Sequence, residues 1–258
     1  MGMSGTRIQV GEFAPGLTKS IDFSISIKPG QQISRPGPVL LLGAPGVGKG
    51  TQADTLATLW GVPKISTGDI LRENVANRTE LGAQADRVMK LGGLVPDEMM
   101  TGMVADRLRA PDTLAGFILD GFPRTVGQAQ WLDQHLEVHR ADARLAVVSM
   151  YMEPRRIVER VVHRRICPLC KTAYNTQSLP PKRLGRCDKD GAELIQRSDD
   201  SPEVFAKRLG VFKQETEPLL EYYHGHSLFI EVDAAKSPAS VSIEIASGLM
   251  NFRARLAQ

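Results

Sequence analysis

The sequence predicts an α/β fold in which a parallel sheet is flanked by helices on both faces. From Val39 onward, short apolar runs alternate with longer segments of helical periodicity. Strands separated by helices pair in parallel, and the helices then cover both faces of the sheet. The first apolar run, residues 39–42, ends in a glycine-rich turn that leads into a helical segment. In folds of this class ligands bind at the carboxyl ends of the strands, which is where this turn lies.

The individual elements follow from hydrophobic periodicity. Strands are predicted over residues 39–42, 117–119, 145–150 and 228–232. Helices are predicted over about residues 49–60, 68–77, 80–91, 96–109, 125–137, 154–165, 202–224 and 238–253. Ser201 and Pro202 form a strong helix start, because serine caps a helix and proline fits its first position. Residues 166–196 do not continue this alternation of strands and helices. They are too short for a strand-helix-strand unit, so they are predicted to be an insertion.

Composition and charge exclude several classes of protein. The chain of 258 residues suffices for one large domain or one domain with insertions, and its net charge of +3 argues against a protein that coats nucleic acid. No apolar run approaches the roughly 18 residues of a membrane span, and no secretory signal is present. Three cysteines suit a reducing compartment. We therefore expect a cytoplasmic protein without nucleic-acid or membrane partners.

Residues 1–37 differ from the rest of the chain. Apolar and polar residues alternate over residues 21–28, which predicts an edge strand, and two Pro-Gly pairs follow it. An organelle transit peptide should be rich in arginine and poor in acidic residues, but this segment also contains Glu12 and Asp22. We expect an appended N-terminal extension; an organelle-targeting segment is the alternative.

The glycine-rich turn carries the pattern Gly-x-x-x-x-Gly-Lys from Gly43 to Lys49. Glycines allow successive backbone N–H groups to point inward, and the following helix directs its unpaired N–H groups and positive dipole end at the same place. Lys49 adds a cation for the outer phosphates. The usual Ser or Thr after the lysine is replaced by Gly50, and Thr51 follows one place later. The turn predicts a phosphate-binding loop; a strand-to-helix connection without a ligand is the alternative.

A second polar cluster is Ser66-Thr67-Gly68-Asp69 with Arg72. Polar capping residues precede a helix here, and the arginine lies within its first turns. An anion could bind at this helix start, held by the planar guanidinium. Considered alone, however, the cluster is more typical of an ordinary capped helix with a surface arginine.

A third cluster, Asp120-Gly121-Phe122-Pro123-Arg124 with Gln128, follows a buried-type strand. A carboxylate at the end of such a strand can hold a Mg²⁺-bound water near phosphates. Arg124 can face a phosphate, and Gln128 would share its helical face if that helix begins near residue 125. The Phe122–Pro123 bond is a candidate for the cis form, which about 5–6% of X–Pro bonds adopt.

The fourth cluster is the run Arg156, Arg160 and Arg164 at helical spacing, with Arg165 beside it. A charged stripe is usually a solvated surface. This one leads directly into the insertion, and Arg197 and Arg208 lie on its far side, so the arginines could converge. Convergent arginines suit a triphosphate site, because the developing charge is spread over several oxygens.

The insertion carries a metal-binding pattern. Its spacing is Cys-x₂-Cys, sixteen residues, then Cys-x₂-Asp, formed by Cys167, Cys170, Cys187 and Asp190. This is the four-ligand zinc pattern with a carboxylate in place of the last thiolate, an acceptable zinc ligand. Four protein ligands predict a structural site. His163 precedes the loop on the helix and is a poor ligand candidate; three unrelated cysteines are the alternative.

Together these motifs resemble the adenylate kinase family. The resemblance is carried by residues 43–52, by the two clusters around Thr67 and Asp120, by Arg164-Arg165, and by Arg197-Ser198-Asp199-Asp200 with Arg208. Their order and spacing match the long form with a full lid, and Gly50-Thr51 is itself what adenylate kinases show. The resemblance extends from about Pro38 to the C-terminal helix.

The resemblance implies a P-loop nucleoside monophosphate kinase fold over residues 38–258, a monomer, and reversible phosphoryl transfer from MgATP to AMP. The helices of about residues 67–96 would form an AMP-binding subdomain, and residues 166–197 a zinc-type lid. The ATP site would comprise Gly46, Val47, Gly48, Lys49, Gly50, Thr51, Arg160 and Arg164. The AMP site would comprise Thr67, Gly68, Arg72, Val95, Gly121, Arg124, Gln128, Arg197 and Arg208.

The same resemblance assigns the catalytic groups. Catalytic charges would come from Lys49, Arg124, Arg160, Arg164, Arg197 and Arg208. Asp69 and Asp120 would hold Mg²⁺-bound water, and Arg156 would be a surface residue. Chemistry would need no covalent intermediate, because positioning, Mg²⁺ and the arginines lower the barrier and closure excludes water.

Three other functions stay open. A related nucleoside monophosphate kinase, or a form that uses GTP to phosphorylate AMP, would share every motif. A zinc-ribbon module that grips nucleic-acid phosphates would bind with a steep salt dependence. That module leaves the glycine loop and Asp120 unexplained. An ATP-binding scaffold without catalysis is opposed by the presence of Lys49, Asp120 and all the candidate arginines.

Overall fold

The computed structural model describes residues 37–140, 144–225 and 228–256, and the edge strand expected at residues 21–28 lies outside them. The described residues form two compact units. Residues 37–162 and 198–256 make up the larger unit, and residues 163–197 the smaller one. Within the described ranges, no helix combines the length and the apolar character that crossing a bilayer requires.

Strands and helices alternate along most of the described chain. The strands are β1 (Gly37–Leu42), β2 (Lys64–Ser66), β3 (Gly116–Asp120), β4 (Ala146–Tyr151), β5 (Arg164–Ile166), β6 (Ala173–Asn175) and β7 (Phe229–Asp233). The helices are α1 (Lys49–Trp60), α2 (Thr67–Ala76), α3 (Glu80–Lys90), α4 (Asp97–Leu108), α5 (Val126–His139), α6 (Pro154–Val162), α7 (Pro202–Val211), α8 (Pro218–His224) and α9 (Pro238–Leu256).

The larger unit contains a five-stranded sheet in the order β2-β3-β1-β4-β7, with every neighbouring pair parallel. The predicted α/β class is therefore confirmed, and all four predicted strands are present. Strand β2 was not predicted, because a strand of three residues is too short to establish a period.

Helices cover both faces of this sheet, and β1 shows how the faces are divided. Val39 and Leu41 belong to a core formed with α1, α6, α7 and α9, whereas Leu40 and Leu42 belong to a core formed with α2 to α5 and α8. All four side chains are buried. A strand buried on both faces reads as a continuous apolar run, which is the pattern seen in the sequence.

Two predicted helices were wrong in extent. The helix expected over residues 202–224 is interrupted by a π-helical turn, Phe212–Thr216, and restarts at Pro218, which has no N–H to continue the previous ladder. The helix expected to reach residue 165 ends at Val162. Arg164 therefore lies in β5, and the arginine stripe at spacing four stops at Arg160.

The smaller unit is built around a two-stranded sheet. Strands β5 and β6 pair antiparallel, with Arg165 opposite Tyr174, and a bridge joins Ile166 to Ile195. Its apolar cluster is formed by the buried residues Cys167, Tyr174 and Cys187, against which Ala192 and Leu194 pack. So small an apolar cluster cannot by itself stabilise a fold of this size.

Candidate functional site

The loop between β1 and α1 requires glycine at two positions. Gly43 and Gly46 have φ angles of +140° and +85°. A Cβ atom on Gly43 would lie 2.3 Å from the carbonyl oxygen of Met150, and one on Gly46 would lie 2.5 Å from Val161 Cγ2. Gly48 caps α1 without a side-chain hydrogen bond. The N-terminal N–H groups of α1 are therefore presented next to the loop, where an anion can bind.

Lys49 is the first residue of α1, and its side chain folds back over the loop. Its Nζ donates to the carbonyl oxygens of Gly43 at 2.7 Å and Ala44 at 3.0 Å. The ammonium group is therefore held beside the loop at the carboxyl end of β1. Pairing of β1 with β3 places Leu41 opposite Asp120, so a carboxylate ends the neighbouring strand.

Asp120 faces the residue that follows the lysine. A Cβ atom on Gly50 would lie 3.4 Å from Asp120 Oδ2 and 3.9 Å from Lys64 Nζ. Lys64 Nζ in turn lies 2.8 Å from Asp54 Oδ1 and 3.6 Å from Asp69 Oδ2. Burial lowers the pKa of Lys64, but these two carboxylates and Asp120 outweigh burial and raise it. The structure thus places Asp69 and Asp120, the two carboxylates predicted to hold Mg²⁺-bound water, near the same lysine.

Lys64 was missed by sequence reasoning because it lies on β2, which leaves no periodic signal.

The pKa of Asp69 also reflects its surroundings. Burial raises its pKa, but the Arg72 guanidinium, bonded to Asp69 Oδ1 at 2.5 Å, outweighs burial and, with Lys64, lowers the pKa to about 2. Asp69 is therefore ionised at neutral pH, as a group that holds metal-bound water must be.

The start of α2 faces the turn after β3. Thr67 Oγ1 donates to the Gly121 carbonyl at 2.8 Å, and the Ser66 hydroxyl accepts from the Asp69 N–H at 3.3 Å. A Cβ atom on Gly68 would lie 3.1 Å from Arg72 Nη2, so that guanidinium lies over the helix start. The capping expected from the sequence is present, and the arginine next to it does not extend away into solvent.

Arg124 lies in the same turn, after a cis Phe122–Pro123 bond. Its Nε donates to the Gly121 carbonyl at 2.9 Å. Burial, together with the nearby cations Arg208 and Arg72, lowers the pKa of Arg124 to about 10. Three arginines therefore act electrostatically on one another beside the start of α2, an arrangement that an anion would stabilise.

Gln128 does not share a helical face with Arg124, contrary to the sequence expectation. Helix α5 begins only at Val126, with Thr125 as its cap. Arg124 precedes the helix, and its backbone N–H donates to Gln128 Oε1 at 2.8 Å, because the glutamine side chain turns back toward the turn. Val95, which the resemblance places in the AMP site, is buried in the core that includes α2 to α5.

Arg208 is held by two buried carboxylates that carried no assigned role in the sequence. Its Nη1 lies 2.9 Å from Asp199 Oδ2 and 3.6 Å from Asp200 Oδ1. Thr216, in the π-helical turn, donates from Oγ1 to the Arg124 carbonyl at 2.9 Å. Sequence reasoning named the two carboxylates together with Arg208 but did not predict that they pair. It missed the contact of Thr216 because Thr216 and Arg124 lie far apart along the chain.

A groove borders the glycine loop on the side of α6 and α9. Arg160 Nη1 donates to the Val47 carbonyl at 3.3 Å, and Arg156 is exposed. The groove is lined by Val47, Gly48, Thr51, Gln52, Met150, Arg160, Ala234, Lys236, Pro238 and Val241. The residues after β7 were not predicted, since no sequence motif marks them.

The smaller unit brings the predicted metal ligands together. One ligand atom from each of Cys167, Cys170, Cys187 and Asp190 lies within 4.8 Å of the others. Zinc–sulfur bonds of about 2.3 Å in a tetrahedron place ligand atoms about 3.8 Å apart, so the set fits zinc. The N–H groups of Cys170 and Lys189 each approach a thiol sulfur at 3.4 Å, as expected around a metal thiolate.

Two further predictions concern the smaller unit. His163 lies outside the cluster, with Nδ1 3.0 Å from Thr176 Oγ1. Arg164 and Arg197 belong to this unit, whereas Arg124, Arg160 and Arg208 belong to the larger one. The convergence of all these arginines therefore stays a prediction.

The parallel sheet, the glycine loop with its lysine, and the neighbouring arginines define a P-loop phosphotransferase. A family model described as adenylate kinase matches residues 41–228. The chain is 45% identical over 215 residues to the adenylate kinase of Caldanaerobacter subterraneus subsp. tengcongensis, covering 83% of this chain and 97% of that relative. It is 46% identical over 209 residues to that of Archaeoglobus fulgidus, covering 80% and 95% of the two chains. The chain belongs to the adenylate kinase family.

Proposed function

We propose that the protein catalyses reversible phosphoryl transfer from MgATP to AMP, giving two ADP, and so contributes to adenine nucleotide homeostasis. One observation supports the proposal: two groups of residues that are suited to bind anions follow neighbouring strands at the same edge of the sheet. The glycine loop follows β1, and the turn with Gly121 and Arg124 follows β3, its direct neighbour in the sheet. Transfer between two phosphates needs a donor site and an acceptor site side by side.

The donor site is formed by the loop and the adjoining groove. Backbone N–H groups of residues 46–51 and the Lys49 ammonium would hold the phosphates. The groove beside Gly48 combines apolar walls with Arg160 and would receive the base and ribose of ATP. This location predicts that Lys236 and Pro238, which line the groove, contact the donor nucleotide.

Asp69 and Asp120 would suit a hydrated Mg²⁺ ion, because both are carboxylates near Lys64: Asp69 Oδ2 lies 3.6 Å from Lys64 Nζ, and Asp120 faces Gly50 of the loop. When bound, Mg²⁺ would neutralise charge on the donor phosphates. The protein's own contribution is to hold Asp69 ionised: burial raises the pKa of this carboxyl, but Arg72 and Lys64 outweigh burial and keep it low.

The acceptor site is formed by the start of α2 and the turn after β3. Arg72 and Arg124 would bind the AMP phosphate beside Thr67, Gly68 and Gly121. Gln128 and Val95 would bind the adenine. Arg208 lies close enough to Arg124 to lower its pKa, so it would reach the same phosphate region.

Charge on the transferring group would be stabilised by Lys49 and the arginines, including Arg164 and Arg197 of the smaller unit. Residues 166–197 would then serve as a lid, and residues 67–96 as an AMP-binding subdomain. Closure of both would exclude water, which would otherwise consume ATP. Zinc bound by the Cys₃Asp set would stabilise the lid and take no part in the chemistry.

The test is ADP formation by the purified full-length chain from ATP with AMP, GMP, UMP, CMP or IMP, and from GTP with AMP, in the presence of Mg²⁺. Adenylate kinase activity predicts ADP from ATP and AMP. Absence of that product would refute the proposal. A clear preference for another acceptor would identify a related nucleoside monophosphate kinase, and preference for GTP would reassign the donor.

Gel filtration with light scattering tests the monomer that the family resemblance implies. Elemental analysis of protein purified under reducing conditions without chelator tests the zinc site. One zinc per chain is expected. No stoichiometric metal would refute the metal site, and zinc binding by Asp190→Cys would support the tetrahedral arrangement.

A further inference from the structure

Asp97, the first residue of α4, carries no assigned role, yet it holds the side chain that would read the acceptor base. Gln128 Nε2 donates to Asp97 Oδ1 at 2.6 Å, and Thr125 Oγ1 donates to Asp97 Oδ2 at 2.7 Å. We propose that Asp97 is a specificity-determining residue, which selects adenine over 6-oxopurines by fixing the orientation of the Gln128 amide. This inference rests on the proposed function.

The orientation of the Gln128 amide follows from the chemistry of its two partners. A carboxylate can only accept hydrogen bonds, and a backbone N–H can only donate. Asp97 therefore requires the NH₂ group of the amide on its side, and the Arg124 N–H, 2.8 Å from Oε1, requires the oxygen on the other. The side chain is 1% exposed, so water cannot readily replace either partner.

This fixed amide leaves one N–H hydrogen and one oxygen lone pair for a ligand. Adenine presents a ring nitrogen that accepts and an exocyclic amine that donates, so it matches the free N–H and the free lone pair of the amide. A 6-oxopurine, such as hypoxanthine, presents the reverse pattern: its ring nitrogen donates and its oxygen accepts. In the same pose it would need the amide rotated by half a turn.

Rotation is opposed from both sides of the amide. It would direct the amide oxygen at the Asp97 carboxylate and the NH₂ group at the Arg124 N–H, so two hydrogen bonds would become two repulsive contacts. The bond to Asp97 is charge-assisted and is the stronger of the two. Without Asp97, only the backbone N–H would oppose rotation.

Asp97 also fixes where the amide lies. Its second oxygen accepts from Thr125, whose hydroxyl caps α5 by accepting from the Gln128 N–H at 3.2 Å. One carboxylate therefore joins the start of α4 to the start of α5, the helix that carries the reading residue. It acts through Gln128 and does not itself need to touch the base.

The test compares Asp97→Ala with the wild-type chain. Steady-state kcat and KM are measured for AMP and IMP with saturating MgATP, and KM is measured for ATP. Loss of the hydrogen bond that fixes the Gln128 amide should raise KM for AMP more than it lowers kcat. KM for ATP should stay unchanged. The ratio of kcat/KM for AMP to that for IMP should fall about tenfold, which corresponds to about 1.4 kcal/mol.

Two variants separate this role from a structural one. Asp97→Asn keeps an oxygen that can accept from Gln128 Nε2, so it should retain most of the AMP preference. Glu98→Ala removes the neighbouring exposed carboxylate from the same first turn and should behave like the wild type. A purely structural role would lower the melting temperature of Asp97→Ala without changing the ratio.

An unchanged ratio of AMP to IMP in the folded Asp97→Ala protein would overturn the inference. If that variant does not fold, Asp97→Asn and Gln128→Ala are compared with the wild type. Equal discrimination between AMP and IMP in these three proteins would contradict the proposal that a fixed Gln128 amide selects the base. Failure of the wild type to phosphorylate AMP would instead refute the proposed function, so the two failures are distinguishable.

Discussion

Replacement of Lys49 by methionine should lower the turnover number by about 100- to 1,000-fold. Lys49 Nζ is held by two loop carbonyls at 2.7 and 3.0 Å, so its charge is positioned before any nucleotide binds. Loss of one such donor to a developing charge typically costs about 2.7–4 kcal/mol of transition-state stabilisation. At about 1.36 kcal/mol per tenfold, this energy gives the expected factor.

The assay is ADP formation at saturating ATP, AMP and Mg²⁺. Methionine preserves most of the length of the lysine side chain, and the two carbonyls are only partly buried, so the variant should unfold at nearly the wild-type temperature. Lys90→Met, which removes an exposed lysine from α3, is the matched control and should retain wild-type turnover. Turnover within about threefold of wild type in folded Lys49→Met would refute the assignment of Lys49.

The remaining predictions address the acceptor, the N-terminal extension, the metal and pH. Gln128→Ala should raise KM for AMP more than KM for ATP and relax base choice, because only the acceptor base contacts the amide. A chain that begins at Pro36 should keep full turnover, since every motif starts later. Chelation should lower the melting temperature and expose residues 163–197 to protease, while part of the activity survives at low temperature. Asp69→Asn should destabilise the protein above about pH 4, and its difference from wild type should shrink as the pH falls toward 2, because Asp69 has a folded-state pKa of about 2 against an ordinary 3.8.

Each of these outcomes can fail in an informative way. If Gln128→Ala weakens ATP most, the donor and acceptor sites are exchanged. If the folded truncated chain is inactive, the N-terminal extension contributes to the site. If a metal-free protein melts like the untreated one, the Cys₃Asp cluster has no stabilising metal. A stability difference for Asp69→Asn that persists unchanged at pH 2 would contradict the low pKa.

Local signals along the chain were enough to predict the central strands and the loop. Strand β1 is buried on both faces and therefore reads as an apolar run, and the glycines of the loop are required by the φ angles at Gly43 and Gly46. The same reasoning failed at β2 and at the π-helical turn. Three residues cannot establish a period, and an interrupted helix keeps its apolar pattern across the interruption.

The residues that reasoning from sequence missed all act across elements. Lys64 reaches Asp69 from β2, Asp97 reaches Gln128 from α4, and Asp199 reaches Arg208 from a turn before α7. No pattern in the sequence shows that these residues pair, even where the partners are close in the chain, because each pairing is made by the packing of two different elements. Motif reasoning therefore marked the residues that we propose contact nucleotides, but not the residues that hold those side chains in place.

Arg124 shows what such an arrangement costs and what it provides. Burial, Arg208 and Arg72 lower its pKa to about 10, which still leaves the guanidinium charged at neutral pH. A base whose pKa is lower in the folded than in the unfolded state reduces the free energy of unfolding when it is charged. Asp199 and Asp200 offset part of this repulsion by pairing with Arg208. A phosphate dianion bound beside Arg124 would replace the remaining repulsion between the arginines with attraction. A ligand that binds only the folded protein also stabilises that protein. If AMP binds here as proposed, the same charges that weaken the protein without nucleotide would be the source of its affinity for the acceptor.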